Sequence, residues 1–289
     1  EHRPELPAWE FATVPSDQTF SSKRFQECNW LQAMEGGIDS SHVSFLHSGN
    51  LNSDPLFKGA RGNQYNLSDH MPFFEVVPHD AGLFVGARRN AEEGHYYWRI
   101  TPWVMPCFTM VPPRGDHPVH GHFWVPIDDE NCWAWSFDYH PTRALTETEV
   151  SAMEAGKGVH CAYTPGTYVP RANKTNDYLM DREAQRAGTT YSGVEGIAIQ
   201  DSSLQESMGP IVDRTKENLV STDNGVIMAR QRLRKAAVAL RDHGTPPPGT
   251  TPQEQKIRSV SVVLPPDEPF QEACKEHFIA EPGKPHTSV

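Results

Sequence analysis

Three polar residues fall within nine positions of one apolar-leaning segment: Asp39, His42 and His47 in NWLQAMEGGIDSSHVSFLH. A carboxylate and two imidazoles can bind a divalent transition metal. The same residue types are also ordinary on a helix surface. The spacing D-x-x-H-x-x-x-x-H separates the two readings only through geometry. On an α-helix three residues turn ~300°, so Asp39 and His42 lie on neighbouring faces one turn apart. Five residues turn ~500°, which leaves His42 and His47 ~140° apart. A straight helix therefore cannot aim both imidazoles at one ion. If they share a metal, the helix must end, kink or carry a π-bulge, and such irregularities concentrate at functional sites.

A rival set lies in HPVHGHF. His120 and His122 alternate on a strand and share a face, so with His117 they could form a cupin-like metal site. The competing reading is a polar strand face. Two histidines do not complete a site for non-haem iron, which is held by two histidines and one carboxylate with positions left open. A distant carboxylate is needed, and Asp201 is a candidate because the apolar run GIAIQ ends against it. Read by itself, the same aspartate is a helix N-cap.

The elements that must position these residues change in kind along the chain. A helix is expected within 29–47, although Gly36-Gly37 costs about 1 kcal/mol per glycine against alanine. PFFEVVPHDAGLFVGARRN reads as two strands about a turn, and HYYWRITPWVMPCFTMVPP as further strand interrupted by proline. HGHFWVPIDDENCWAWSFDYH reads as an aromatic hairpin, and the short separations imply antiparallel pairing. Helices return at TETEVSAMEAG, where Thr146 and Glu149 suit a capping box, and at NDYLMDREAQRAG. DNGVIMARQRLRKAAVALRDHG runs from Asp223 as cap to Gly244 as stop. Helix, then strands, then helices predicts an α+β fold, an antiparallel β-sheet with helices packed on one face. Residues 1–25 read as a connecting arm, 26–245 as the catalytic domain, and 246–289 as a proline-rich tail wrapping the surface.

The chain has 289 residues and a formal net charge of −11, with 37% hydrophobic and 22% charged residues, enough to bury a core and too acidic for a nucleic-acid partner. Its five cysteines form no C-x-x-C pair and are odd in number, which disfavours a disulfide scaffold and predicts a cytoplasmic setting. No apolar run reaches the ~20 residues of a membrane helix. The opening EHRPELPAWEF carries no signal-peptide pattern and reads as the interior of a longer protein.

Taken together, CNWLQAMEGGIDSSHVSFLH, NDYLMDREAQR, IAIQDSSLQESMGPIVDRT and HFWVPIDDENCWAWSF resemble the catalytic domain of Rieske non-haem iron aromatic-ring-hydroxylating oxygenase α subunits. The phthalate 4,5-dioxygenase group, which includes oxygenases for chlorinated and phenoxy benzoates, is the nearest in look. The resemblance runs from Cys28 to Arg232 and implies a helix-grip catalytic domain. It makes His42, His47 and Asp201 the ligands of a mononuclear Fe(II). It makes Asp39 the aspartate that bridges to a Rieske cluster on a neighbouring subunit and orients His42 through its far ring nitrogen. The family's 2Fe–2S cluster is bound by one C-x-H and one C-x-x-H pair, a combination the five cysteines do not supply. The cluster is therefore expected in the full-length protein and not on this chain. A second departure is Gly36, where many ring-dihydroxylating relatives carry asparagine.

The implied reaction is O2-dependent hydroxylation of an aromatic substrate, with electrons from an NADH-dependent flavin or iron–sulfur reductase. The implied assembly is a homotrimer or a stack of two. A carboxylate on the substrate would need a cationic clamp, for which arginine's planar fork is suited. Arg88, Arg89 and Arg99 are the candidates, against the usual solvent-facing role of strand arginines. Two other classes stay open at this point. One is a helix-grip small-molecule-binding module without redox activity, distinguished by iron content. The other is a zinc hydrolase, disfavoured by the absence of H-E-x-x-H.

Overall fold

Aromatic and β-branched alternation builds one mixed-length antiparallel sheet. The computed structural model describes residues 5–289, so the first four residues of the expected arm lie outside the described residues. In chain order the elements are α1 (Glu10–Thr13), β1 (Thr19–Gln26), α2 (Trp30–Ile38) and α3 (Gly62–Ser68). The strands β2 (Phe73–His79), β3 (Gly82–Asn90), β4 (Tyr96–Val104), β5 (Phe108–Met110), β6 (Val119–Pro126) and β7 (Cys132–Tyr139) follow. Then come α4 (Glu147–Glu154), α5 (Arg182–Arg186), α6 (Ile197–Ser207), α7 (Asn224–His243), β8 (Val260–Leu264) and α8 (Phe270–Ala273).

The strand order is β1-β7-β6-β5-β4-β3-β2, with β8 beside the first half of β4. The α+β expectation holds. The strongest hairpin, β6–β7, closes on Asp128, whose Oδ1 accepts from Glu130 N at 2.9 Å and from Asn131 Nδ2 at 2.9 Å. That is the Asx-turn chemistry that its DDEN sequence offers. Thr146 and Glu149 form the reciprocal capping box at the start of α4. Gly244 ends α7 in the left-handed region at φ 65°. Asp223 does not cap α7; its carboxylate instead accepts from Val220 N at 2.8 Å.

The two sheet faces have different partners. Leu83, Val85 and Ala87 of β3, Trp103 of β4 and Trp124 of β6 pack against α2 and α7. On the opposite face Trp98 and Ile100 of β4 meet Phe270 and Phe278 from the C-terminal segment, and Phe108 and Phe137 meet Trp9. The helices α2 and α7 thus cover one face, while the two terminal segments, with the short α1 and α8, cover the other. Two strands come from segments in which the sequence showed no strand: β1, which lies in the expected arm but for its last residue, pairs along its whole length with β7, and β8 lies inside the proline-rich tail.

The helix-covered face changes character along its strands. Alternate residues put Arg99, Thr101 and Trp103 on one side of β4, and His120, His122 and Trp124 on one side of β6. Near Trp103 and Trp124 this face is apolar and closed by α2. Near Arg99 and His120 it is polar and opens into a cavity beneath α6 and the segment carrying His42 and His47.

Candidate metal centre

Asn29 starts α2 by accepting from Leu31 N at 3.0 Å. The helix runs through Gly36 and Gly37 because both face close neighbours. A Cβ on Gly37 would overlap the Trp124 ring, and one on Gly36 would sit 2.6 Å from Gln205 Nε2. Glycine is the residue that lets α2 press onto β6 and α6 there. The helix then stops at Ile38. Asp39 takes extended geometry at φ −88°, ψ 112°, and its carboxylate accepts from Ser41 N at 2.7 Å and His42 N at 3.3 Å. His42 opens a short 3-10 turn, His42–Ser44, and His47 follows in irregular turns. The geometric obstacle of a straight helix is removed by ending the helix before either histidine.

The two imidazoles turn their Nε2 atoms toward each other at 3.2 Å. Asp201 is the fifth residue of α6, whose N-cap is Gly196, so it is not a cap. Its Oδ1 lies 3.1 Å from His47 Nε2 and 3.7 Å from His42 Nε2. Among the described residues, these three form the one group of histidine, cysteine or acidic ligand atoms close enough to hold a metal ion, all within 4.8 Å of one another. Ligands ~2.1 Å from an ion and at right angles would stand about 3 Å apart, the spacing found here. The donor set therefore fits a divalent metal. Burial works to raise the Asp201 carboxyl, but the His47 and His42 imidazoles outweigh it and hold Asp201 down at about 2. Burial works against a charge on His42, and Asp39 and Asp201 nonetheless move it upward.

The far ring nitrogens are held by different groups. His42 Nδ1 faces Asp39 Oδ2 at 3.5 Å. His47 Nδ1 meets Gln200 Oε1 at 2.8 Å. Gln200 gives its amide hydrogens to Asn50 Oδ1 and Val194 O, each at 3.0 Å, so its oxygen can only accept from His47. That fixes a hydrogen on His47 Nδ1 and a lone pair on Nε2, where a metal would sit. Nothing local marks Gln200 for this role, although it stands next to Asp201 in the IQD run.

The three arginine candidates part company. Arg88 lies on the opposite face, its guanidinium 4.1 Å from the Tyr96 ring centroid and 4.8 Å from that of Phe73. Arg89 is buried but engaged, donating to Ser40 O at 2.8 Å and Ser44 Oγ at 3.2 Å, and so braces the segment beneath His42. Arg99 lines the cavity, fully buried, with Nε and Nη1 lacking any partner. The expectation of solvent-facing strand arginines fails for Arg89 and Arg99, each 1% exposed, because their face of the sheet is roofed by the cavity walls. Arg114, which no local pattern marks, joins Arg99 at the cavity and spends one amino group on Asn63 Oδ1 at 2.6 Å. Burial first, and the Arg99 guanidinium second, push Arg114 well below its usual range and hold Arg89 at about 10. The cluster is a set of buried cations without a matching anion.

The rival histidines are also placed. His120 and His122 do share a face and line the cavity, whereas His117 lies outside, its Nε2 2.9 Å from Lys58 O. No third ligand joins them among the described residues. Gln205 fills the space beside Gly36, receiving a hydrogen bond from Gln26 Nε2 at 2.6 Å and donating to Ala33 O at 3.2 Å. The C-x-x-H spacing at Cys274 and His277 is remote from this site: Cys274 is core, and His277 Nδ1 meets Thr287 Oγ1 at 2.9 Å.

A helix that ends to release two histidines, a carboxylate from a distant helix and a walled cavity beside them define a class. The chain belongs to the family described as LigXa C-terminal domain like, which matches residues 1–277. This agrees with the likeness to Rieske oxygenase catalytic domains read from the sequence. It is 31% identical over 264 residues to the 3-chlorobenzoate-3,4-dioxygenase oxygenase subunit of Comamonas testosteroni, covering 87% of this chain and 60% of that protein. It is also 31% identical over 242 residues to the phthalate 4,5-dioxygenase oxygenase subunit of Pseudomonas putida, covering 81% of this chain and 54% of that protein. The chain thus spans little more than half the length of these relatives. Among solved structures, dicamba monooxygenase bound to 3,6-dichlorosalicylic acid aligns with a TM-score of 0.43 at 12% identity, over 80% of this chain and 62% of that one. No helix among the described residues is long and apolar enough to cross a membrane.

Proposed function

We propose that this chain is the oxygen-activating part of a Rieske-type oxygenase that hydroxylates a carboxylated aromatic substrate. His42, His47 and Asp201 would hold Fe(II). The observation that carries the reading is the meeting of these three ligand atoms at the wall of a cavity that also contains the unpartnered cation of Arg99. Fe(II) held by two histidines and one carboxylate keeps open positions and supplies the O2 chemistry.

The chain's own residues do the rest. Gln200 and Asp39 set the orientation of the two imidazoles. Arg99 and Arg114 anchor the substrate carboxylate in a site where a charge-assisted hydrogen bond is strong. Leu51, Phe57 and Ile197 give the cavity apolar walls that suit a ring and exclude water. Asp39, half-exposed at the mouth of the site, is the residue through which a cluster on a neighbouring subunit would couple. Oligomeric assembly, a reductase partner and a cytoplasmic setting belong to the same reading; the relatives' names, which call each an oxygenase subunit, support a further component beside this chain.

Metal analysis tests it. The chain reconstituted anaerobically with Fe(II) should retain about one iron per chain, and His42→Ala, His47→Ala and Asp201→Ala should each lose it with the fold intact. Retention of iron by all three variants would sink the assignment. An iron-free chain that still binds aromatic acids would instead favour the binding-module reading.

A further inference from the structure

The cavity wall presents hydrogen-bond donors at Arg99 and Arg114, and beside them an acceptor at His120. His120 is 3% exposed and lines the cavity from β6. Its Nδ1 is turned into the protein, 3.4 Å from Pro118 O and 3.8 Å from Asp138 Oδ1. Both neighbours are acceptors, so Nδ1 carries the hydrogen and Nε2 carries a lone pair. Asp138 cannot swing away to change this. Its Oδ2 accepts from His160 Nε2 at 2.7 Å, and His160 Nδ1 in turn accepts from Ser22 Oγ at 2.6 Å. The ring is held in place by Phe57, 5.0 Å between centroids. No protein donor among the described residues reaches His120 Nε2. Burial, opposed by Asp138 and assisted by Arg114, keeps the imidazole neutral down to about pH 4, so the lone pair is available at neutral pH.

A ligand that satisfied only the arginines would bury this acceptor without a partner, which is costly. We propose that His120 Nε2 accepts a hydrogen bond from a ring hydroxyl, so that the substrate is a hydroxylated aromatic carboxylate rather than a simple or halogenated one. This rests on the carboxylated-aromatic reading above. His120 acts as a specificity-determining residue on a wall distinct from the metal ligands, and Asp138, His160 and Ser22 act through it by fixing its tautomer.

Calorimetric titration with benzoate, the three hydroxybenzoates and their methyl ethers tests the idea, because a methyl ether keeps the oxygen but has no hydrogen to give. At least one hydroxybenzoate should bind about tenfold more tightly than its methyl ether. In His120→Leu that preference should vanish, and benzoate, which no longer buries an unpaired acceptor, should bind more tightly than it does to the unaltered chain. His120→Gln, which keeps a buried acceptor, should recover part of it and serves as the check on folding. A preference that survives in His120→Leu, or hydroxybenzoates that never exceed their ethers in the unaltered chain, would overturn the proposal while leaving the carboxylate reading intact. No binding of any of the acids would overturn both.

Discussion

Asp39 and Gln200 stand in equivalent positions behind the two histidines, yet one is a carboxylate and the other an amide. Gln200 is 3% exposed with every amide hydrogen bonded, so it is a rigid orienting group. Gln200→Leu should release His47 from its tautomer and weaken Fe(II) binding about 10- to 100-fold, the usual cost of losing an outer-shell partner. Metal titration measures this, and nitrogen NMR of the metal-free chain reports the His47 tautomer directly; an unchanged tautomer would rule out the role. Asp39 makes weaker contact with His42 and is committed to two backbone amides. Asp39→Asn should therefore leave most of the iron bound and lower turnover in the full-length enzyme. Iron loss as large as that of His42→Ala would make Asp39 a ligand instead.

At the level of elements, the site depends on α2 being pinned where it ends. Glu35 near its C-terminal half is gripped by Arg230 of α7 at 2.6 and 2.9 Å and by Arg214 at 3.1 Å, and Glu217 bonds the same two arginines. This half-buried network ties α2 to α7. Arg230→Ala leaves two facing carboxylates with one arginine, and should destabilise the fold by about 2 kcal/mol, read as a lower urea midpoint with no change in the m-value. Which of these elements could be read in advance follows from where their information sits. The β6–β7 hairpin, the α4 capping box and the Gly244 stop are local signals, and each appears where its residues place it. Strand β1, TFSSKRFQ, has no clean alternation because Arg24 and Gln26 face a buried polar region. Strand β8 is five residues set among prolines. The candidate metal ligands are legible as residue types in the sequence, but Arg114, His120 and Gln200 owe their importance to neighbours more than a dozen positions away.

For the whole molecule, acid and the chain ends set the limits. Burial, with Arg232 adding to it, holds His79 at about 4, burial holds His120 at about 4, and burial pushes His122 well below its usual range. An unfolded histidine titrates near 6.5, so between about pH 6.5 and 4 the unfolded chain takes up protons that the folded chain refuses. Stability is therefore complete above about 6.5 and falls as pH drops through that window, by up to about 1.4 kcal/mol per pH unit for each histidine. Urea melts at pH 7 and pH 5 should show the loss, and His79→Phe, which keeps a ring against Phe84, should reduce it. The ends of the chain meet at one buried ion pair. Glu10 of α1 receives Arg258, which also donates to Glu281 O, Lys284 O and Pro285 O, and Tyr139 donates to the same carboxylate at 2.9 Å. Both side chains are nearly inaccessible, at 7% and 5%. Glu10→Ala would leave a buried guanidinium without its anion, a loss of about 3–5 kcal/mol. Because the ends cover the sheet face opposite the candidate metal centre, the fold should fail there first. The variant should show faster hydrogen exchange in β8 and residues 270–289 while β6 and β7 stay protected. Uniform loss of protection across the sheet would mean that the two faces unfold together and that the ends are part of one cooperative core.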